Sequence, residues 1–247
     1  MKLLIISDIH ANRPALLAAL RAEPEIREIL CLGELVDYGP QPLRCVEWAV
    51  NHVPTRNLLQ GNHDWAVAWD KDPHCSPLYR RLACVTQAHC LRIFSKGLRS
   101  FLARLSPQHS FTLDGAACVA CHAAPSSPRF RYLPISAGAE RWRTEVERAL
   151  QPDFLFVGHT HVPGKLRVGK TLVVNPGSVG QPKDGDPRAA YPVWDDGTIT
   201  LRRAAYDVEE TVRAYPTPPF LPDDVATLAH VLRTGGSLPQ EELMEVS

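Results

Sequence analysis

Residues 2–12 read Lys2-Leu3-Leu4-Ile5-Ile6-Ser7-Asp8-Ile9-His10-Ala11-Asn12. The stretch 2–7 is apolar and β-favouring, and an acid and an imidazole follow it, two apart, on the loop leaving the strand. Asn12 then offers an N-cap for a helix over 14–21, whose early proline sits where a missing N–H does no harm. The alternation continues. Residues 28–32 read as a second buried strand running into Gly33-Glu34, and 42–52 as a second helix. Residues 55–60 read as a third strand, running into Gly61-Asn62-His63-Asp64. Strand, helix, strand, helix, strand with short connections predicts parallel pairing and right-handed crossovers. Open α/β sheets bind ligands at the C-terminal strand ends, where Asp8, His10, Glu34, Asn62 and His63 all fall.

Residues 65–106 carry Trp65, Trp69, Tyr79, Leu82, Phe94 and Phe101 at helical spacing, with Pro73, Pro77 and Gly97 breaking the run. This helical insertion packs on the sheet or, as the alternative, caps the site. Residues 111–113 and 116–121 form a hairpin through Asp114-Gly115, 126–136 a loop, and 139–150 a helix. Residues 154–157 are a buried strand before Gly158-His159-Thr160-His161, and 165–168 with 171–174, and 189–194 with 198–203, are further hairpins. Antiparallel runs after βαβ units predict a second sheet packed on the first. Residues 205–247 read as a helical tail, interrupted by Pro216, Pro218, Pro219 and Pro222, that wraps the outside of a single 1–247 domain.

At 247 residues, 45% hydrophobic and 22% charged, the chain has the balance of a soluble globule with one large core. Its 27 Lys and Arg equal its 27 Asp and Glu, and no basic stripe appears, which argues against nucleic acid as a partner. The apolar run near the N-terminus is too short for a signal peptide or a membrane span, so a cytoplasmic location and no membrane partner are expected. Seven cysteines without framework spacing read as reduced, buried small hydrophobes. Cys118-Val119-Ala120-Cys121-His122 fits the c-type haem pattern, yet residues three apart on a strand face opposite ways and their sulfurs do not cooperate.

Five stretches end in hard-to-borderline metal donors: Asp8-Ile9-His10, Gly33-Glu34, Gly61-Asn62-His63-Asp64, Cys121-His122 and Gly158-His159-Thr160-His161. Asp-x-His alone is common by chance, whereas two imidazoles in a short loop after a strand favour metal by themselves. In order and chemistry, residues 8 to 177 resemble the calcineurin-like metallophosphoesterase superfamily, most specifically in the 61–64 and 158–161 blocks. The 175–182 block resembles its small bacterial and archaeal phosphodiesterases.

The resemblance implies an α/β fold, a four-layer αββα sandwich of two mixed β-sheets flanked by helices. It implies two divalent metal ions, one on Asp8, His10 and His161, the other on Asn62, His122 and His159, with Glu34 bridging. By the same resemblance, the cations would supply a metal-bridging hydroxide as the nucleophile toward phosphorus, His63 would serve the leaving oxygen, and Asp64 would orient the His63 ring. The ligand mix suits Mn2+ first, with Fe2+, Zn2+, Ni2+ or Mg2+ as alternatives. The implied partner is a small phosphoester, such as the diadenosine tetraphosphate some relatives hydrolyse, or a phosphoprotein. Asn12, Arg129 and Arg131 are candidate substrate contacts. Two departures stand out. Glu34 replaces the usual aspartate, an arm longer by roughly 1.5 Å. Ala11 replaces a common glycine, which requires the backbone there to avoid positive φ. The resemblance also admits a non-catalytic interaction scaffold or a nuclease, and leaves the oligomeric state open.

Overall fold

In the computed structural model, which describes residues 1–236 and 238, the first half of the chain forms β1 (Lys2–Ile6), α1 (Arg13–Ala22), β2 (Glu28–Cys31) and α2 (Pro42–His52). Three helices follow, α3 (Asn62–Trp69), α4 (Pro77–Ile93) and α5 (Lys96–Arg104), and then β3 (Gln108–Leu113) and β4 (Ala116–Cys121). The remainder comprises α6 (Gly138–Arg148), β5 (Phe154–Val157), β6 (Gly164–Val168), β7 (Thr171–Asn175), β8 (Ala189–Asp195), β9 (Thr198–Ala204), α7 (Val208–Arg213) and α8 (Pro222–Thr234).

β1 pairs in parallel with β2 and antiparallel with β8, giving a first mixed sheet of order β2-β1-β8-β9. The second is also mixed, β3-β4-β5-β7-β6. The last hairpin therefore completes the first sheet. β1 is apolar on both faces because both are covered. Leu3 and Ile5 meet Ala120, Phe156 and Val174 across the sheet-to-sheet interface, closed by Trp194. Leu4 and Ile6 meet Leu16 of α1, Cys45 of α2, Val67 of α3, Cys90 of α4 and Leu102 of α5. On the far side Trp142 and Val146 of α6 cover Leu155, Val157 and Val173. Helix, sheet, sheet, helix is the layer order. Cys118 lies in the inter-sheet layer and Cys121 in the outer one, on opposite faces as strand geometry requires.

Two readings of the sequence need correction. Residues 55–60 are not a third strand. Thr55–Asn57 is a short 3-10 turn, after which Leu59 N donates to Cys31 O and Gln60 N to Ser106 O, both at 2.8 Å. Consecutive residues bond to different segments, so no ladder can extend. The insertion begins at Asn62, which puts Asn62 and His63 in the first turn of a helix. Much of it packs on the first sheet, but Tyr79, Leu82 and Ala83 pack instead with Tyr215, Phe220 and Leu228 of the C-terminal segment. The expected tail beyond residue 238 lies outside the described residues.

Candidate metal centre

Asp8 and His10 follow β1, Glu34 follows β2, His122 follows β4, and His159 and His161 follow β5. The loops are tied together by their backbones: Asp8 N to Gly33 O at 3.1 Å, His10 N to Glu34 O at 2.8 Å, and Gly180 N to Asp8 O at 3.0 Å. Asp8, His10, Ala11, Glu34, Asp37, Tyr38, His159 and His161 all have positive φ, between 44° and 68°. An L-residue held there costs about 1–3 kcal/mol, and such strain collects at functional sites. Ala11, at φ 51°, thus contradicts the expectation drawn from its side chain; its N–H is fixed by Leu35 O at 3.0 Å.

The ligand atoms of Asp8, His10 and His161 lie within 4.8 Å of one another. His10 Nδ1 is 3.1 Å from Val36 O, and His161 Nδ1 is 2.6 Å from Gln181 O. Carbonyls only accept, so each Nδ1 donates, and the two Nε2 atoms face one another at 3.1 Å. A second group lies beside the first. His122 Nδ1 is held by Leu32 O at 3.0 Å, while its Nε2 is 3.2 Å from Asn62 Oδ1, 3.2 Å from His159 Nδ1 and 3.3 Å from Glu34 Oε1. Asn62 Nδ2 donates to Pro73 O at 2.8 Å, which turns the amide oxygen inward. Asp8 Oδ1 and Glu34 Oε2 are buried without a hydrogen-bond partner. Converging buried lone pairs are costly unless a cation lies among them, and imidazole, carboxylate and carboxamide donors fit a divalent one.

The longer Glu34 arm is accommodated by Gly61, where a Cβ would overlap the Glu34 carboxylate. Glu34 Oε1 also accepts from His63 N at 2.9 Å. Burial, reinforced by Asp64 and Asp8, pushes the Glu34 carboxyl well above the usual range. Burial lowers His10 and His159 well below the usual imidazole value, and takes His122 down to about 4. These rings are neutral near pH 7, the form that ligates metal. Burial alone would raise Asp8; the adjoining His161 holds it low.

His63 Nδ1 is 2.8 Å from Oδ2 of Asp37, which is fully buried. Asp64 is not its partner. From the third position of α3, Asp64 turns back to accept Glu34 N (2.7 Å), Leu35 N (2.9 Å) and Gly61 N (3.1 Å), fastening the helix start to the β2 loop. Burial pushes Asp64 up to about 6 against those bonds. Asn12 is likewise spent inside the fold. It accepts from Ala15 N and Thr211 Oγ1 and donates to Gly180 O and Tyr206 Oη, and at 1% exposure it has no face toward a substrate. Arg129 Nε donates to Gln60 Oε1 at 2.7 Å, and Arg131 lies exposed, 4.0 Å from Glu145 on the α6 side. Neither lines the cleft.

Asp8, His10, Glu34, Asn62, His63, His159 and His161 do line it, in a cleft of about 440 Å³, with His122 beneath. Tyr38, Tyr79, Phe130, Tyr132 and Lys183 complete the walls. Of the residues the sequence reading passed over, Asp37 had a signal, a carboxylate three places after Glu34. Phe130 and Tyr132 had none beyond their aromatic character.

So dense a set of divalent-ion donors in one cleft belongs to a metal-dependent enzyme. Residues 1–195 match the calcineurin-like phosphoesterase superfamily domain; the chain belongs to that family and is a metal-dependent phosphoesterase. An uncharacterized protein of Methanocaldococcus jannaschii is 31% identical over an alignment spanning 83% of this chain and 88% of that protein. A metallophosphoesterase of Sphaerobacter thermophilus superposes with a TM-score of 0.76 at 28% identity, covering 95% of this chain and 99% of the other. A hypothetical protein of Pyrococcus horikoshii also gives 0.76, at 19% identity over 96% and 99%, a likeness of fold alone.

Proposed function

We propose that this protein hydrolyses a small-molecule phosphoester using two divalent cations, manganese first. Asp8, His10 and His161 would hold one, Asn62, His122 and His159 the other, and Glu34 would lie between them. The observation that carries this reading is the pair of adjoining donor groups, with Asp8 Oδ1 and Glu34 Oε2 buried and otherwise unsatisfied. When bound, two such cations activate water at neutral pH and offset phosphoryl charge.

The chain's own residues supply the rest. Asp37 accepts from His63 Nδ1, which leaves Nε2 as the nitrogen that exchanges a proton with the departing oxygen. Val36, Gln181 and Leu32 carbonyls fix the orientation of three imidazoles, as outer partners of metal-ligating histidines do. Pro77 and Tyr79 of α4 and the 130–132 stretch narrow the cleft to a volume suited to a small ligand, which favours a small ester over a phosphoprotein. Zero net charge weighs against a nuclease. No described helix is long and apolar enough to cross a membrane, and the described cysteines are unpaired, which supports a cytoplasmic setting.

The test is hydrolysis of bis-p-nitrophenyl phosphate. Manganese-loaded protein is expected to turn it over, to stop after chelation, and to resume when manganese is restored. A lack of turnover with every divalent ion tried would overturn the reading.

A further inference from the structure

Phe130 and Tyr132 face the cleft while their neighbours are drawn away, Arg129 to Gln60 and Arg131 toward Glu145. Phe130 is wedged edge-on against Trp65, with ring centroids 5.4 Å apart, and against His74 at 5.3 Å, so its ring is set rigidly. Tyr132 meets the His159 imidazole edge-on at 5.7 Å and is still 54% exposed. Beside the other donor group, Lys183 N donates to His161 O at 3.3 Å, and the Lys183 ammonium lies 4.1 Å from the centroid of Tyr79. This wall is braced from beyond the family match: Leu238 N donates to Tyr79 Oη at 3.3 Å, and Gly185 N to Gly235 O at 2.7 Å.

Resting on the phosphoesterase reading of this cleft, we propose that its substrate carries a planar aromatic ring, which lies on Tyr132 and Phe130, and a second anionic group, which Lys183 receives. The ring of Tyr132, 54% exposed at the rim, contributes nothing to cation binding or to phosphoryl chemistry. It does present a π-face at the rim, and stacking a base-sized ring on such a face is worth roughly tenfold or more in affinity. The lysine stands next to a donor group whose cation would already take one phosphoryl oxygen, so a further anion is what it can recognise. Tyr79 holds the ammonium over its ring and limits where that charge can go. A cleft of about 440 Å³ has room for a ligand of this kind.

Calorimetry on the manganese-loaded protein tests this with phosphonates, whose P–C bond does not hydrolyse. Phenylphosphonate is expected to bind about tenfold tighter than methylphosphonate. Tyr132→Ala should reduce that preference to twofold or less and Tyr132→Phe should keep it, with metal content checked for each variant. Equal affinities in the wild type would overturn the aromatic subsite. Lys183→Ala is expected to weaken binding of adenosine 5′-(α,β-methylene)diphosphate several-fold, less so in high salt; unchanged affinity would remove the lysine from recognition. Because these are binding measurements, they judge the cleft even if bis-p-nitrophenyl phosphate is not turned over, and turnover without the ring preference would leave the hydrolase reading standing alone.

Discussion

His63 reaches its partner through Nδ1, and that partner, Asp37, is buried and held at φ 63°. In the proposed role of His63, the bond chooses the ring nitrogen left to serve the leaving oxygen, so its loss should fall on the chemical step. Asp37→Asn is expected to lower kcat about a hundredfold or more while manganese content stays near wild type. Asp64→Asn should act differently, removing part of the tie between α3 and the β2 loop and lowering the melting temperature by several degrees, with the smaller effect on kcat. Steady-state kinetics and thermal unfolding of both variants decide between them; a larger kcat loss for Asp64→Asn would reverse the roles. Glu34 adds a pH effect. Burial raises its carboxyl well above the usual range, so in the proposed centre an incoming cation competes with a proton there. Cation affinity should therefore rise with pH, while His122, lowered to about 4, competes with a proton only in acid. A weakly buffered manganese titration is expected to release protons, and Glu34→Gln to suppress that release; equal release from both proteins would contradict it.

Among the elements, β1, β2, α1 and α2 were legible from their apolar runs and flanking prolines, because both faces of those strands are covered and the pattern is unbroken. The candidate ligands were legible for the same reason, standing immediately after strands or at a helix start. What escaped was set by contacts distant in the chain. Leu58 and Leu59 look like a strand, but Leu58 packs into the helical layer and Leu59 into the inter-sheet layer. Arg129 and Arg131 look like substrate contacts until Gln60 and Glu145 are seen beside them. The positive φ of Ala11 and the Asp37–His63 pairing depend on one loop lying over another, which no local pattern encodes. Such an interlock also joins the β2 loop to α3, since the Glu34 carboxylate occupies the space a Gly61 side chain would need. Gly61→Ala is expected to destabilise the protein by about 1–3 kcal/mol and to deplete bound metal. Adding Glu34→Asp should restore part of both, because the shorter arm withdraws from the new methyl group. Denaturant unfolding and metal analysis of the single and double variants check this, and strictly additive effects would rule out the interlock.

Across the fold, the candidate ligands come from both sheets: Asp8 and Glu34 from the first, His122, His159 and His161 from the second. Cations bound among them would join the two layers at the edge opposite the hairpin turns, so metal should stabilise the folded chain rather than the catalytic loops alone. Calorimetric unfolding is expected to shift upward by several degrees on manganese loading, and a thousandfold excess over the dissociation constant corresponds to about 4 kcal/mol. An identical melting temperature with manganese and with chelator would place the cations elsewhere. Anomalous diffraction at the manganese edge, from crystals grown with the ion, is the decisive measurement. Two peaks should appear, one among Asp8, His10 and His161 and one among Asn62, His122 and His159, with the Glu34 carboxylate reaching both. A single peak, or density remote from these side chains, would contradict the dinuclear centre.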